Sequence, residues 1–244
     1  MLIKLFTSFV AMALCANLLG ACAKPRPGAD VTPSGRMDIL GPLPDSNPGP
    51  LPGDWVTEGK PADGQLAVVE LSAIPALRII NGPTSFASVK PTRASMLATP
   101  YLSWSWNMTP QEVGDHPVKI VVGFHGGVAK NPGWQTAPKG KSGKLLPPHD
   151  RAVVLLWGLS ALQRGAITTP PSKGKIQAPA RYIARGGSEN TRTWWLETVD
   201  LSDIYRRAWP DDKTEDVRIV FIGIAAAAGP PPSPGHIADL WLSR

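Results

Sequence analysis

Cysteine is scarce in this chain of 244 residues, which has only Cys15 and Cys22 and none beyond position 22. The long remainder lacks the side chain that disulfides, thiolate nucleophiles and cysteine-ligated metals require. The uncharged apolar stretch at 5–20 also falls short of the roughly 20 residues that cross a bilayer as a helix. We therefore exclude thiol chemistry after residue 22 and a helical membrane span at 5–20.

Motifs of covalent catalysis are missing as well. Gly-x-Ser-x-Gly, the turn that exposes the nucleophile of many hydrolases, does not occur. The stretch FHGG at 124–127 resembles the oxyanion loop of some esterases, but without that turn we interpret His125 as a strand-end residue. Ser172 and Lys175 have Ser-x-x-Lys spacing, yet proline and glycine break the surrounding segment, so no helical turn aims the lysine. The sequence identifies no catalytic residue and does not favour an enzyme.

Clusters of metal ligands are absent from the sequence pattern. The histidines are His116, His125, His149 and His236, and no two lie within four residues of each other. Zinc ligands usually occur in pairs at closer spacing. The acidic segment at 211–216 lacks the alternating aspartates and the glycine of a calcium loop. We expect no metal and no cofactor.

The amino terminus has the features of a secretory signal, with Lys4 followed by the apolar stretch at 5–20. That stretch ends in Leu-Gly-Ala-Cys, which resembles the lipobox of bacterial lipoproteins. The resemblance implies that residues 1–21 are removed and that Cys22 is acylated with two or three chains, enough for stable anchoring. It also implies the outer membrane, facing the periplasm, because Ala23 rather than aspartate follows the cysteine. An ordinary signal with a chance cysteine is the alternative.

A change in composition separates a tether from a folded domain. Eight prolines lie among residues 23–53, a density that favours an extended spacer over residues 22–53. The segment 54–244 is long enough for one domain with its own core. The formal charge of the chain, +6, permits anionic partners without identifying one.

Short runs with β-forming residues recur between glycine, proline and asparagine. In YLSWSWNM at 101–108, Leu102, Trp104 and Trp106 share one face of a strand, and the polar residues share the other. The other predicted strands lie at 66–71, 76–80, 84–90, 117–124, 152–158, 180–185, 193–199, 217–224 and 236–243. This spacing predicts an all-β fold, an antiparallel β-sandwich of the jelly-roll kind. One short helix is expected at 201–209 with Asp200 as its N-cap, and the alanines at 225–228 are expected to lead from a strand into a loop.

The order of these motifs resembles a family of bacterial envelope proteins, domain of unknown function 3047. The matching stretches are Asp54-Trp55, LRIINGPTSFASVKP, LSWSWNM, DHPVKIVVGF, VVLLWG, ARYIARGG and the tail from WWLETVDLSDIYRRAWP to HIADLWLS. The resemblance implies a jelly-roll sandwich akin to carbohydrate-binding modules. This chain departs from the family where an acidic Asp-x-Asp segment would follow VRIVFIGI, because Ala225 to Ala228 stand there.

The nine tryptophans are the feature most suggestive of sugar binding, because indole rings stack on pyranose rings. Trp104, Trp106 and Trp157 lie within predicted strands and are expected in the core. Trp134 lies in a loop that also holds four lysines, Lys130, Lys139, Lys141 and Lys144. An aromatic ring beside amines would suit an anionic glycan, and a flexible solvated loop is the alternative.

Whether the basic loops converge depends on topology. We call the loop at 125–151, which holds Trp134 and the lysines, the lysine loop. If the four strands from 117 to 199 run consecutively antiparallel, this loop and the loop at 186–192 lie at the same end of the sandwich, so Arg192 is expected beside the lysines. The loop at 159–179, with Lys173 and Lys175, would then lie at the other end. Split basic loops argue against a nucleic-acid groove.

Glu197 and Asp200 are candidate paired carboxylates for glycoside cleavage, and the orientation of Glu197 depends on which neighbouring tryptophan faces inward. If Trp195 is inward, Glu197 is buried and needs a partner; if Trp194 is inward, Glu197 faces solvent. Because lone carboxylates are rarely buried, we expect the second arrangement.

Together these patterns predict a lipid-anchored envelope protein without catalytic activity that binds an envelope glycan or an envelope protein. One alternative is a glycan hydrolase or lyase, which needs two close carboxylates or a carboxylate–histidine pair on a concave sheet face. The other is a structural assembly protein, which predicts an exposed apolar patch.

Overall fold

The computed structural model describes residues 35–41, 43, 51, 54–128, 146–171 and 178–244. Two β-sheets pack face to face in this part of the chain and enclose one hydrophobic core. The predicted all-β sandwich with one helix is therefore confirmed. Several residues singled out from the sequence lie outside the described ranges: Cys22, Trp134, Lys139, Lys141, Lys144, Ser172, Lys173 and Lys175.

The strands are numbered in chain order. They are β1 (Arg36–Asp38), β2 (Val56–Gly59), β3 (Leu66–Leu71), β4 (Ile74–Ile80), β5 (Phe86–Ser95), β6 (Tyr101–Met108), β7 (Val118–His125), β8 (Arg151–Gly158), β9 (Ile167–Thr168), β10 (Ala180–Gly186), β11 (Trp195–Asp200), β12 (Arg218–Ala226) and β13 (Pro234–Ser243). Helix α1 spans Leu201–Ala208, and short 3-10 turns span Ala161–Gln163 and Ser188–Asn190. Within the described ranges, no helix has the length and apolar character to cross a membrane.

Sheet A has the order β11-β6-β13-β4-β3, with β1 also paired to β13, and sheet B has the order β2-β5-β12-β7-β8-β10-β9. All pairs are antiparallel except β8 and β10, which are parallel. The expectation that the strands from 117 to 199 alternate in direction is therefore wrong. A parallel pair needs a crossover, and the 21 residues between β8 and β10 are long enough to provide it.

The parallel pair fixes which loops share an end of the sandwich. We call the end where β7 stops and β8 starts the loop end, and the end where β8 and β10 stop the turn end. The N–H of Arg192 donates to the carbonyl of Met108 at 2.9 Å, which places Arg192 at the turn end. The residues that flank the lysine loop, up to 128 and from 146, lie at the loop end. The topological reason for grouping Arg192 with that loop is therefore wrong.

The alternating pattern of β6 places its tryptophans in the core, as predicted. Trp104 and Trp106 are fully buried, and their ring centroids are 5.2 Å apart. Trp106 also contacts Trp157 of the facing sheet, with 5.3 Å between the ring centroids. Edge-to-face contacts of this kind add to the free energy gained by burying the rings. The three tryptophans are thus structural and are not available to a ligand.

Helix α1 begins where the sequence predicts. The Asp200 carboxylate accepts the N–H groups of Ser202 at 2.8 Å and Asp203 at 3.1 Å, which satisfies two donors at the helix start. Tyr205 of the helix is buried, and its hydroxyl donates to Asp212 at 2.8 Å. The helix therefore closes the loop end of the core. Strand β12 ends at Ala226, inside the alanine run, as expected.

The outer face of sheet A is crossed by the β3–β4 hairpin. Only residues 77–80 of β4 pair with β13, and they pair with its first half. Strand β1 pairs with the second half of β13. The tip of the hairpin therefore leaves the sheet, and the indole N–H of Trp194 donates to the carbonyl of Leu71 at 3.4 Å. Asn107 and Ala238 lie buried on the same face.

Candidate functional site

A groove of about 510 Å³ runs across the outer face of sheet B. Four of its lining residues lie side by side on adjacent strands: Glu58 of β2, Ala87 of β5, Ala225 of β12 and Lys119 of β7. Residues that pair directly across strands point to the same side of a sheet. This single row therefore extends from one acidic to one basic side chain, and Val154 of β8 continues the groove beyond Lys119.

Small side chains make the floor of the groove low. Ala225, Ala226 and Ala227 line it together with Ala87. Gly223, next to this floor on β12, has no space for a larger residue, because an added Cβ would lie 2.1 Å from the carbonyl oxygen of Ser88. The alanine run, which the resemblance marked as a departure from an acidic segment, therefore forms an apolar floor.

Lys119 is a partly buried cation at one end of the row. Its side chain is partly buried, and burial together with the nearby Arg181 guanidinium lowers its pKa, while Asp115 acts in the opposite direction. Asp115 is already ion-paired with Arg181. Within the described ranges, neither Lys119 nor Glu58 forms an ion pair. The groove thus holds one cation and one carboxylate that are both open to a ligand.

The two charged residues lie on strands that are not adjacent. Glu58 and Lys119 are separated by three strand spacings, about 14 Å at the usual distance between neighbouring strands. Glycosidases that use two carboxylates hold them about 5 to 9.5 Å apart. Glu58 is the only carboxylate among the described lining residues, so this face lacks that pair.

A carboxylate–histidine pair does occur, but outside the groove. Nδ1 of His125 lies 3.5 Å from Oδ2 of Asp150, and the same oxygen accepts the N–H of Gly126 at 2.8 Å. His125 ends β7 six residues after Lys119, which is about 20 Å along a strand. The pair therefore holds the base of the lysine loop rather than the groove.

Glu197 is oriented against expectation. Trp195 faces inward with it, and the Glu197 side chain is fully buried between the sheets. Arg185 is ion-paired with its Oε1, and Arg164 donates to its Oε2 at 2.7 Å. The guanidinium of Arg185 also stacks on the ring of Trp195 at 3.8 Å. Two cations compensate the buried carboxylate, so we assign Glu197 a structural role in the domain core.

The predicted ligand residues remain apart from the groove as far as they are described. Arg192 lies at the turn end with a left-handed backbone, φ 59°. Trp134, Lys139, Lys141 and Lys144 lie outside the described residues, so their role stays a prediction. Within the described part of the chain, no group of three His, Cys, Asp or Glu side chains could hold a metal.

Apart from the alanine run at 225–228, the sequence patterns did not single out the groove residues. The alternation in PVKIVVGF places Lys119 on the face opposite the core residues Val118 and Ile120, which is a usable signal. Its neighbours Ala225, Ala87 and Glu58 come from distant parts of the chain, so the row exists only through strand pairing.

Comparison with known proteins gives structural likeness only. No protein-family model matches the chain, and no curated protein matches it, so the resemblance to domain of unknown function 3047 stays a prediction. The family 11 carbohydrate-binding module of the cellulase Lic26A-Cel5E of Clostridium thermocellum is similar at 8% identity and TM-score 0.39, covering 78% of this chain and 87% of that one.

Two enzyme structures resemble this chain with similarly low sequence identity and TM-score. Endoglucanase 3 of Trichoderma harzianum, from family GH12, shares 11% identity at TM-score 0.37, covering 88% of this chain and 93% of that one. The xyloglucanase domain of NopAA from Sinorhizobium fredii shares 11% identity at TM-score 0.35, covering 76% and 97%. Similarity at this level carries no information about ligand or activity.

Proposed function

We propose that this chain is a non-catalytic β-sandwich module that binds a glycan of the bacterial envelope in the groove of sheet B. The observation that carries the proposal is the row Glu58–Ala87–Ala225–Lys119, an apolar floor between two charges that form no ion pair with any residue the structure describes. A pyranose ring has an apolar C–H face and a rim of hydroxyls. The alanine floor suits the C–H face, while Glu58 accepts from hydroxyls and Lys119 donates to them.

Binding rather than cleavage follows from the charges. Among the residues that the structure describes, the groove lining has one carboxylate, Glu58, and the nearby acid Asp115 is ion-paired with Arg181. The described lining contains no tryptophan or tyrosine for stacking, so we expect weak binding per site. Retention on an immobilised polymer therefore suits the measurement, because many neighbouring sites raise the apparent affinity.

Ala225→Trp is expected to abolish this binding. An indole at position 225 would occupy the floor between Ala87 and Lys119, where the sugar ring should lie. The measurement is retention of the full mature chain, in detergent, on immobilised peptidoglycan, lipopolysaccharide and neutral glucans. Leu196→Trp is the matched control, because it adds the same side chain at an exposed position on sheet A.

Thermal unfolding of both variants must first show an intact fold. Unchanged retention of Ala225→Trp would remove the groove from the proposal. Absence of retention of the natural chain on every glycan would remove the proposal itself.

We further propose that acylated Cys22 anchors the protein to the outer membrane. Support comes from the lipobox-like Leu-Gly-Ala-Cys and from the proline-rich segment that follows. Cys22→Ser should abolish acylation in mass spectra of the mature protein and release it from the membrane fraction. Cys15→Ser is the control, because Cys15 lies in the segment expected to be removed. A membrane-bound Cys22→Ser variant would contradict the anchor.

A protein partner is the second candidate, and one observation favours it. The turn end exposes aliphatic side chains: Leu162 is 97% exposed, Val113 87% and Leu159 50%. The Ser160–Gln163 capping box holds the turn that carries Leu162. None of these three side chains lines the groove, so a partner that contacts them alone would be insensitive to Ala225→Trp, which separates the two candidates.

A further inference from the structure

We propose that the glycan bound in the groove carries a carboxylate, and that Lys119 binds it. This inference rests on the proposed function and specifies its ligand class. It follows from the position of one partly buried cation that forms no ion pair within the described residues, while the nearby Asp115 is ion-paired with Arg181.

The first argument is the surroundings of Lys119. Its neighbour across β12 is Ala225, and the residues that flank it on β7 point into the core. Arg181 pairs in register with Val154, which also lines the groove. The guanidinium of Arg181 is ion-paired with Asp115. Glu58, the one carboxylate among the described lining residues, lies three strands away, about 14 Å between the two backbones by strand spacing. The groove near Lys119 therefore has one uncompensated positive charge.

The second argument is energetic. A cation that has lost part of its hydration and forms no ion pair of its own is in an unfavourable state, and burial together with the nearby Arg181 lowers the pKa of Lys119. A bound carboxylate would restore a partner through a charge-assisted hydrogen bond, which is about twice as strong as a neutral one. Sugar hydroxyls alone would provide only neutral acceptors. One uncompensated charge also matches a single carboxylate better than a doubly charged phosphate.

Glu58 limits the charge density of the ligand. A second acidic sugar at that side of the groove would face the Glu58 carboxylate and be repelled, whereas a neutral sugar would donate its hydroxyls. The geometry therefore favours a glycan that places a carboxylate-bearing sugar at Lys119 and a neutral sugar at Glu58.

The probe is a matched pair of polymers. Peptidoglycan strands stripped of their peptides expose a lactyl carboxylate on every second sugar, and chemical reduction of these carboxyls gives a neutral strand of the same length. Binding of the full mature chain to both strands is measured by isothermal titration. We expect the acidic strand to bind about tenfold more tightly than the reduced one.

Lys119→Gln should abolish the preference and bind both strands at the lower affinity. Lys213→Gln, which removes an exposed charge beyond α1, should behave as the natural chain. If the natural chain binds both strands equally and Ala225→Trp binds neither, the carboxylate inference is overturned but the glycan groove is kept. A preference that survives in Lys119→Gln would also overturn it. Binding of neither strand would overturn both proposals for this ligand.

Discussion

Glu197→Ala is expected to destabilise the domain by about 3–5 kcal/mol, the usual cost of breaking a buried ion pair by removing one partner. The loss arises because Arg185, whose side chain is only 13% exposed, would stay between the sheets without a counterion. Arg164 is 56% exposed and can turn toward solvent, so it contributes less. Urea unfolding measures the change, provided that the slope of the transition stays constant.

A double variant separates the ion pair from the packing. Glu197→Met combined with Arg185→Met removes both charges and keeps side-chain volume, so it should be more stable than Glu197→Ala. Glu215→Ala, at an exposed position, should change the free energy of unfolding by less than about 0.5 kcal/mol. If the double variant is no more stable than the single one, the buried charge of Arg185 is not the cause of the loss.

His116→Asn is expected to remove much of the acid sensitivity of the domain below pH 6.5. His116 is fully buried, and burial lowers its pKa from its ordinary value of 6.5 to about 4. The folded state therefore favours the neutral ring. Its contribution to stability is complete above pH 6.5 and declines as the pH falls from 6.5 to 4, because the unfolded chain takes up a proton that the folded chain does not.

The full effect of that proton is about 3 kcal/mol, and asparagine avoids it because its side chain does not titrate. Nδ1 of His116 accepts the N–H of Val118 at 3.1 Å, and the amide oxygen of asparagine can take the same place. The measurement is urea unfolding of both proteins between pH 7 and 4. Burial also lowers the pKa of His236, which remains in both proteins and cancels in the comparison. Parallel stability curves would show that His116 does not titrate as proposed.

The strands and the core were predictable because their signals are local. Alternation in YLSWSWNM places Trp104 and Trp106 inward whatever strand lies beside them, and both are buried. The N-cap role of Asp200 depends only on the residues that follow it, and the helix begins there. Asp200, unlike the groove residues, needs no distant partner.

Residues whose role depends on distant partners could not be predicted from the sequence. Glu197 is buried because Arg185 and Arg164, from other strands and turns, compensate its charge, and no local pattern shows them. The parallel pairing of β8 and β10 moved Arg192 to the turn end. A shift of one residue in pairing would reverse the face on which every side chain of a strand lies.

By itself, the sequence determined the β-rich architecture, the aromatic core, the start of the helix and the scarcity of thiols, because each depends on residue type and short-range period. Only the tertiary structure decided that Glu58, Ala87, Ala225 and Lys119 form one row. Four separate segments must pair in one register to bring them together, and that register is selected by burial of the whole core rather than by any one strand.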